Sequence, residues 1–140
     1  MALELISLRK AIESLDRSLQ ATEFSNDFSS FPPIVQETLH SGVIQNFEVA
    51  YEQAWKMMKR WIETNVGAEA ADGVTRRELF RLAAEQKLID DVDEWMTFHQ
   101  TRNMTSHTYD LETANDAYTD AVAFLPLVKD LLARLEAKND

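Results

Sequence analysis

The sequence predicts an all-α fold, an up-down four-helix bundle with one additional short helix. Three observations carry that expectation. Apolar residues recur at the 3.6-residue period of a helix in long rows. No segment shows the two-residue alternation of a half-buried strand. Glycine and proline, which interrupt helices, number three each in 140 residues. A chain of this length fits one domain, read here as residues 1–140, and can bury a core without disulfide or metal staples.

Taken in order, the first helix reads from about Leu3 to Ala21. Leu5, Leu8, Ile12, Leu15 and Leu19 make its inward stripe. Thr22 to Ser30 is rich in Ser, Asn and Asp and reads as a loop. Pro32 and Pro33 suit the entry to a second, long helix, Pro33 to Asn65. Gly42 is a point where that helix could bend, since glycine disfavours a helix interior by roughly 1 kcal/mol relative to alanine. Thr75-Arg76-Arg77-Glu78 is a capping-box pattern that opens a short third helix running to about Lys87. Asp91 with Glu94 opens a fourth, expected to reach about His107. The fifth begins after Asp110 and runs to about Leu135. Its inward face is Ala114, Ala117, Tyr118, Ala121, Leu125, Val128, Leu132 and Leu135, with Pro126 expected to kink it near Val122. Short connections favour antiparallel neighbours, hence the bundle.

Composition removes several classes of function. With no cysteine there is no disulfide framework, thiolate metal site or cysteine nucleophile. The balance of 24 acidic and 14 basic residues, a net charge of −10, opposes broad binding to nucleic acid, which relies on Lys and Arg neutralising phosphates. It leaves room for a small basic cleft. Neither a signal peptide nor a membrane span is legible, so the expected location is the cytoplasm, with no membrane partner.

The pattern breaks in the fourth helix. One face runs Val92, Trp95 with Met96, His99, Asn103, His107. Its spacing stays helical while its chemistry turns from apolar to polar. Such a stripe either buries satisfied polar groups or opens into a cleft. Arg102 and His107, five residues apart, stand about 140° apart around an ideal helix. They converge only if the helix ends or loosens near Ser106, or through the length of the arginine side chain. Thr105, Ser106 and Thr108 favour an ending, because their hydroxyls compete for backbone hydrogen bonds. His99 and His107 lie roughly 12 Å apart along a helix, too far to share one ion with bonds of about 2 Å. His40 has no evident carboxylate partner. No metal and no cofactor is therefore expected. Asp90, Asp91, Asp93 and Glu94 read as a helix N-terminus stabilised by negative charge.

The run Arg102-Asn103-Met104-Thr105-Ser106-His107-Thr108-Tyr109 resembles the Arg-x4-His-x-Tyr motif of HEPN domains encoded beside minimal nucleotidyltransferases. Gly42 to Glu48, with Tyr51-Glu52 and Trp55-Lys56, is similar to the long second helix of that family, known as nucleotidyltransferase substrate-binding proteins. Leu88 to Asp91 and Trp95 fit it too, so the likeness covers about residues 3 to 135. The resemblance implies a helical bundle that forms homodimers, with the motifs of two chains close together. It implies a metal-independent endoribonuclease toxin acting on RNA, with Arg102, Asn103 and His107 as catalytic residues. A minimal nucleotidyltransferase would be the partner and would neutralise the toxin by transferring AMP to Tyr109. It equally allows a non-catalytic subunit that presents a nucleotide or other substrate to the nucleotidyltransferase. The chemistry suits the residue types. His107 can exchange protons near neutral pH. Arg102 can hold two phosphate oxygens with its planar fork. Asn103, four residues before His107 and on the same face, can orient His107 or the phosphate. Tyr109 follows the motif in a polar turn, where its hydroxyl is expected to reach solvent. The plainer alternative packs its ring at a bundle end with the hydroxyl hydrogen-bonded.

Overall fold

The computed structural model describes residues 3–107 and 110–139. Among these are five α-helices, α1 (Ile6–Gln20), α2 (Pro33–Asn65), α3 (Arg76–Glu85), α4 (Val92–Met104) and α5 (Leu111–Ala137). Two 3-10 turns, Phe28–Ser30 and Thr105–His107, complete the helical structure, and no strand occurs among the described residues. The fold is all-helical, as the periodicity predicts.

Cross-helix contacts give the direction of each element. Arg9 pairs with Glu136 at 3.2 Å and Asp16 with Lys129 at 2.8 Å, so α1 and α5 run antiparallel. His40 meets Tyr118 and Phe47 meets Phe124, so α2 and α5 run parallel. Thr101 donates to Asp120 (2.6 Å), and Phe98 and Trp95 pack on Phe124, so α4 opposes α5. The four long helices therefore alternate up, down, up, down, with α3 as the additional short one.

The helix ends follow local chemistry. Asp91 caps α4 by accepting from the N–H groups of Asp93 (2.9 Å) and Glu94 (3.2 Å). Thr75 Oγ1 accepts from Glu78 N at 3.2 Å, and its hydroxyl meets the Glu78 carboxylate at the same distance. α1 begins later than the apolar stripe suggests. The Leu3 backbone is engaged on both sides by the Asn139 side chain, and Glu4 accepts from the Ile6 N–H (2.9 Å). α2 passes through Ser41-Gly42 as one element, and α5 passes through the exposed Pro126.

Phe124 is the hub of the core. It is fully buried, and its ring lies edge-on to Phe47 (5.1 Å), Phe98 (5.0 Å) and Trp95 (5.4 Å). It joins α2, α4 and α5 in one aromatic cluster, where such edge-to-face pairs add about 0.5–1.5 kcal/mol each beyond area burial. The sequence reading omits Phe124 and Leu131 from the inward face of α5, and both are fully buried. It includes Ala114 and Leu132, which are only half-buried. A helix enclosed by three others buries a wider arc than one stripe. Phe124→Ala is expected to lower unfolding stability by about 3–5 kcal/mol, measured by urea denaturation, because the cavity cannot collapse against three helices.

Candidate functional site

The stripe on α4 loses burial as it loses hydrophobicity. Trp95 is buried, His99 is half-buried, and Asn103 and His107 are exposed. The reading of a buried, satisfied polar group holds for the inner part of the stripe. His99 is a satisfied polar group at the core edge, whereas Asn103 and His107 face solvent.

Three changes in backbone form this end of α4. The α-helix stops at Met104, and the 3-10 turn carries the chain to His107. Thr105 is buried and its hydroxyl donates to the Arg102 carbonyl at 2.8 Å, the competition expected of a hydroxyl-rich stretch. Asp110 then caps α5, accepting from Glu112 N at 3.3 Å. The α-helix thus ends slightly before Ser106, and the helical run ends at His107. A 3-10 turn advances about 120° per residue against about 100° in an α-helix, so tightening leaves Arg102 and His107 on different faces of one chain. Thr108 and Tyr109 lie outside the described residues.

The Arg102 guanidinium turns towards α2. Its Nη1 lies 3.2 Å from Glu48 Oε2 and its Nε lies 3.4 Å from Glu52 Oε1. Nη1 also donates to Thr105 Oγ1 at 3.3 Å. The Nε contact is an ion pair without hydrogen-bond geometry, which leaves that buried N–H without a hydrogen bond. Glu48 and Glu52 stand one turn apart on α2, so both reach the same cation.

Behind this pair is a second polar group. Tyr51 is fully buried, with its ring stacked on Phe47, yet its hydroxyl accepts from Arg76 Nη1 (2.9 Å) and meets His99 Nδ1 (2.9 Å). The Arg76 guanidinium carbon lies over the Trp55 ring, 3.8 Å from its centroid. Trp55 Nε1 donates to Glu52 Oε2 at 3.1 Å. His99 Nε2 lies 3.4 Å from the Asn103 Nδ2. Burial, opposed by the nearby Arg76, pushes the Tyr51 phenol up to about 12. Burial, and then Arg76, holds His99 below the usual histidine value. Two arginines and two glutamates make the immediate site neutral in a strongly acidic chain.

Sequence reasoning named Arg102, Asn103 and His107 but gave no site role to Glu48, Tyr51, Glu52, Trp55 or Arg76. The available signal was the cluster of Glu48, Tyr51, Glu52 and Trp55 at spacings of three and four on one long helix. Nothing local marks Arg76, which sits in the first turn of α3.

Comparison with known proteins decides the family. The family model described as "nucleotidyltransferase substrate binding protein like" matches residues 3–137. The chain belongs to the nucleotidyltransferase substrate-binding protein family. A Haemophilus influenzae protein named probable ribonuclease HepT is 36% identical over 138 residues, covering 98% of this chain and 94% of the relative. A solved H. influenzae structure, described as the fold of a substrate-binding domain of a nucleotidyltransferase, superposes with a TM-score of 0.89 at 35% identity. It covers 95% of this chain and 99% of that one. A solved structure from Thermus thermophilus shares the fold, with a TM-score of 0.72 at 24% identity, over 91% of this chain and 98% of that one. Among the described residues of this family member, no helix is long and apolar enough to cross a membrane.

The histidines give a pH dependence of stability. His99 and His40 are both held below their ordinary value of 6.5, in each case first by burial. A group with a lowered folded value binds its proton more readily when unfolded, so falling pH favours unfolding. Stability from these residues is complete above about pH 6.5 and falls as pH drops towards their folded values. Urea midpoints measured across that window are expected to decline, and His99→Gln to flatten part of the slope.

Proposed function

We propose that this chain is a metal-independent endoribonuclease, the toxin of a two-component module, neutralised when a separate minimal nucleotidyltransferase transfers AMP to Tyr109. The observation that carries this reading is the exposure of Asn103 and His107 at the end of α4, within the same motif as Arg102. The relative named as a probable ribonuclease supports it.

Cleavage of RNA without metal needs three things. A base removes the proton of the ribose 2′-OH, whose oxygen attacks the adjacent phosphorus. An acid protonates the departing 5′-oxygen. Positive charge stabilises the crowded phosphorane-like transition state. His107 supplies proton transfer, Arg102 supplies charge, and Asn103 orients the phosphate. Because Arg102 and His107 stand on different faces of one chain, a homodimer that brings two motifs together provides one acid and one base. Exposed apolar side chains support pairing between copies: Ile34 is 67% exposed and Leu111 74%, both beside the entry to their helices, and Met104 ends α4. AMP on Tyr109 would put bulk and negative charge next to the motif, where a substrate phosphate must sit.

A second reading is a non-catalytic subunit that presents a nucleotide or other substrate to the nucleotidyltransferase. The pairing of Arg102 with both Glu48 and Glu52 favours it, since the cation is already neutralised. The solved relative described as a substrate-binding domain supports it as well.

Three measurements separate the readings. RNA cleavage by the purified chain is expected to persist in EDTA and to fall about 10²–10⁴-fold in His107→Ala and in Arg102→Ala, with unchanged circular dichroism. Cleavage that requires magnesium, or equal activity in His107→Ala, overturns the nuclease mechanism. Light scattering at micromolar concentration is expected to give twice the chain mass. Intact-mass spectrometry after incubation with the nucleotidyltransferase and ATP is expected to show added adenylyl groups on the wild type and none on Tyr109→Phe.

A further inference from the structure

Two chains of contacts lead from α3 into the motif, and they share one origin. The first runs from Arg76 Nη1 to the Tyr51 hydroxyl (2.9 Å), from there to His99 Nδ1 (2.9 Å), and from His99 Nε2 to the Asn103 amide (3.4 Å). The second runs from the Arg76 guanidinium, over Trp55 at 3.8 Å, through the Trp55 N–H to Glu52 Oε2 (3.1 Å), and by the ion pair from Glu52 Oε1 to Arg102 Nε (3.4 Å). They end on adjacent motif residues. We infer that Arg76 is a positioning residue that orients both Asn103 and Arg102 through these two separate chains. As a statement about catalysis this rests on the nuclease reading above. As a statement about orientation it rests on the contacts alone.

The first chain also fixes which atoms donate. Arginine only donates, so the Tyr51 oxygen is an acceptor towards Arg76. The Tyr51 hydroxyl proton is buried and needs an acceptor, and His99 Nδ1 is the one within reach. Arg76 Nη1 also lies 3.5 Å from Nδ1, and a cation there favours the lone pair over an N–H. Nδ1 is therefore bare and Nε2 carries the proton. The Asn103 Nδ2 as placed lies 3.4 Å from Nε2, and an Nε2–H needs an acceptor, so we assign the amide the opposite way round, with its oxygen to His99 and its NH2 group outward. The two ends of an amide exchange by rotation about one bond. Asn103 then presents two donors to solvent, the polarity that a phosphate oxygen requires. With the Arg76 charge removed, His99 loses one of the influences holding its proton affinity down, leaving burial and the opposing Glu52 carboxylate.

The second chain works through shape. The guanidinium sits over one face of Trp55 and limits the indole's rotation, which keeps its N–H on Glu52.

The test uses the full-length chain and nitrogen-15 NMR of the His99 ring and the Arg102 Nε–H, with RNA cleavage as a separate arm. In the wild type, His99 is expected to show a bare Nδ1 and a protonated Nε2, and the Arg102 Nε–H, buried while its ion pair with Glu52 holds, to exchange slowly. Arg76→Met is expected to mix the His99 tautomers, raise its titration midpoint and speed Arg102 Nε–H exchange. Tyr51→Phe is expected to disturb His99 alone, and Trp55→Phe to disturb Arg102 alone. If Arg76→Met does not fold, Arg76→Lys keeps charge and a donor but not the flat face. It is then expected to spare His99 and release Arg102. Unchanged His99 and Arg102 signals in the Arg76 variant overturn the proposal. So does equal disturbance of both signals by Tyr51→Phe and by Trp55→Phe, which marks general loosening. If the wild type cleaves RNA, Arg76→Met is expected to lower kcat about 10- to 100-fold with little change in KM, and unchanged kcat overturns the catalytic part. If the wild type cleaves no RNA, the nuclease reading fails by itself, and the NMR arms still decide the orienting role.

Discussion

The Tyr51 hydroxyl, held between Arg76 and His99, joins the core of this protein to its polar end. Its ring belongs to the aromatic cluster centred on Phe124, so the rigidity of the core reaches the hydroxyl oxygen. A phenol buried this deeply costs stability unless its proton and its lone pairs find partners. Here the partners come from α3 and from α4, which carries Arg102 and Asn103. The requirement to satisfy one buried oxygen therefore ties three helices at one point.

Electrostatics at this end differ from those of the chain as a whole. A net charge of −10 repels polyanions at a distance. At the motif, Arg76 and Arg102 are balanced by Glu48 and Glu52. The glutamates keep the Arg102 side chain ordered at a half-buried position where an unpaired guanidinium would be costly. An incoming anion would meet their negative charge as well as the Arg102 cation.

Parts of this architecture were legible in the chain, and the reason is local. Helix periodicity, the Pro32-Pro33 entry, the Thr75 and Asp91 caps and the hydroxyl-rich end of α4 each depend on residues within a turn or two of one another. The bounds of α2 follow from the sequence residue for residue. The octapeptide from Arg102 to Tyr109 carried the family likeness because it is contiguous. Phe124 escaped notice because it lies off the narrow stripe, and only the number of neighbouring helices decides how wide an arc is buried.

Residue order alone specified the helices, their caps, the polar turn in the stripe on α4 and the family. Which charges meet was settled by packing. Glu48 and Glu52 are some fifty residues from Arg102 along the chain, and Arg76 is on a short helix whose angle nothing local specifies. Pairing across that distance depends on the register of α2 against α4, which is set by how the aromatic side chains of the core interlock. A pattern with a period of 3.6 says which face points inward. It does not say which residue of the next helix that face will touch.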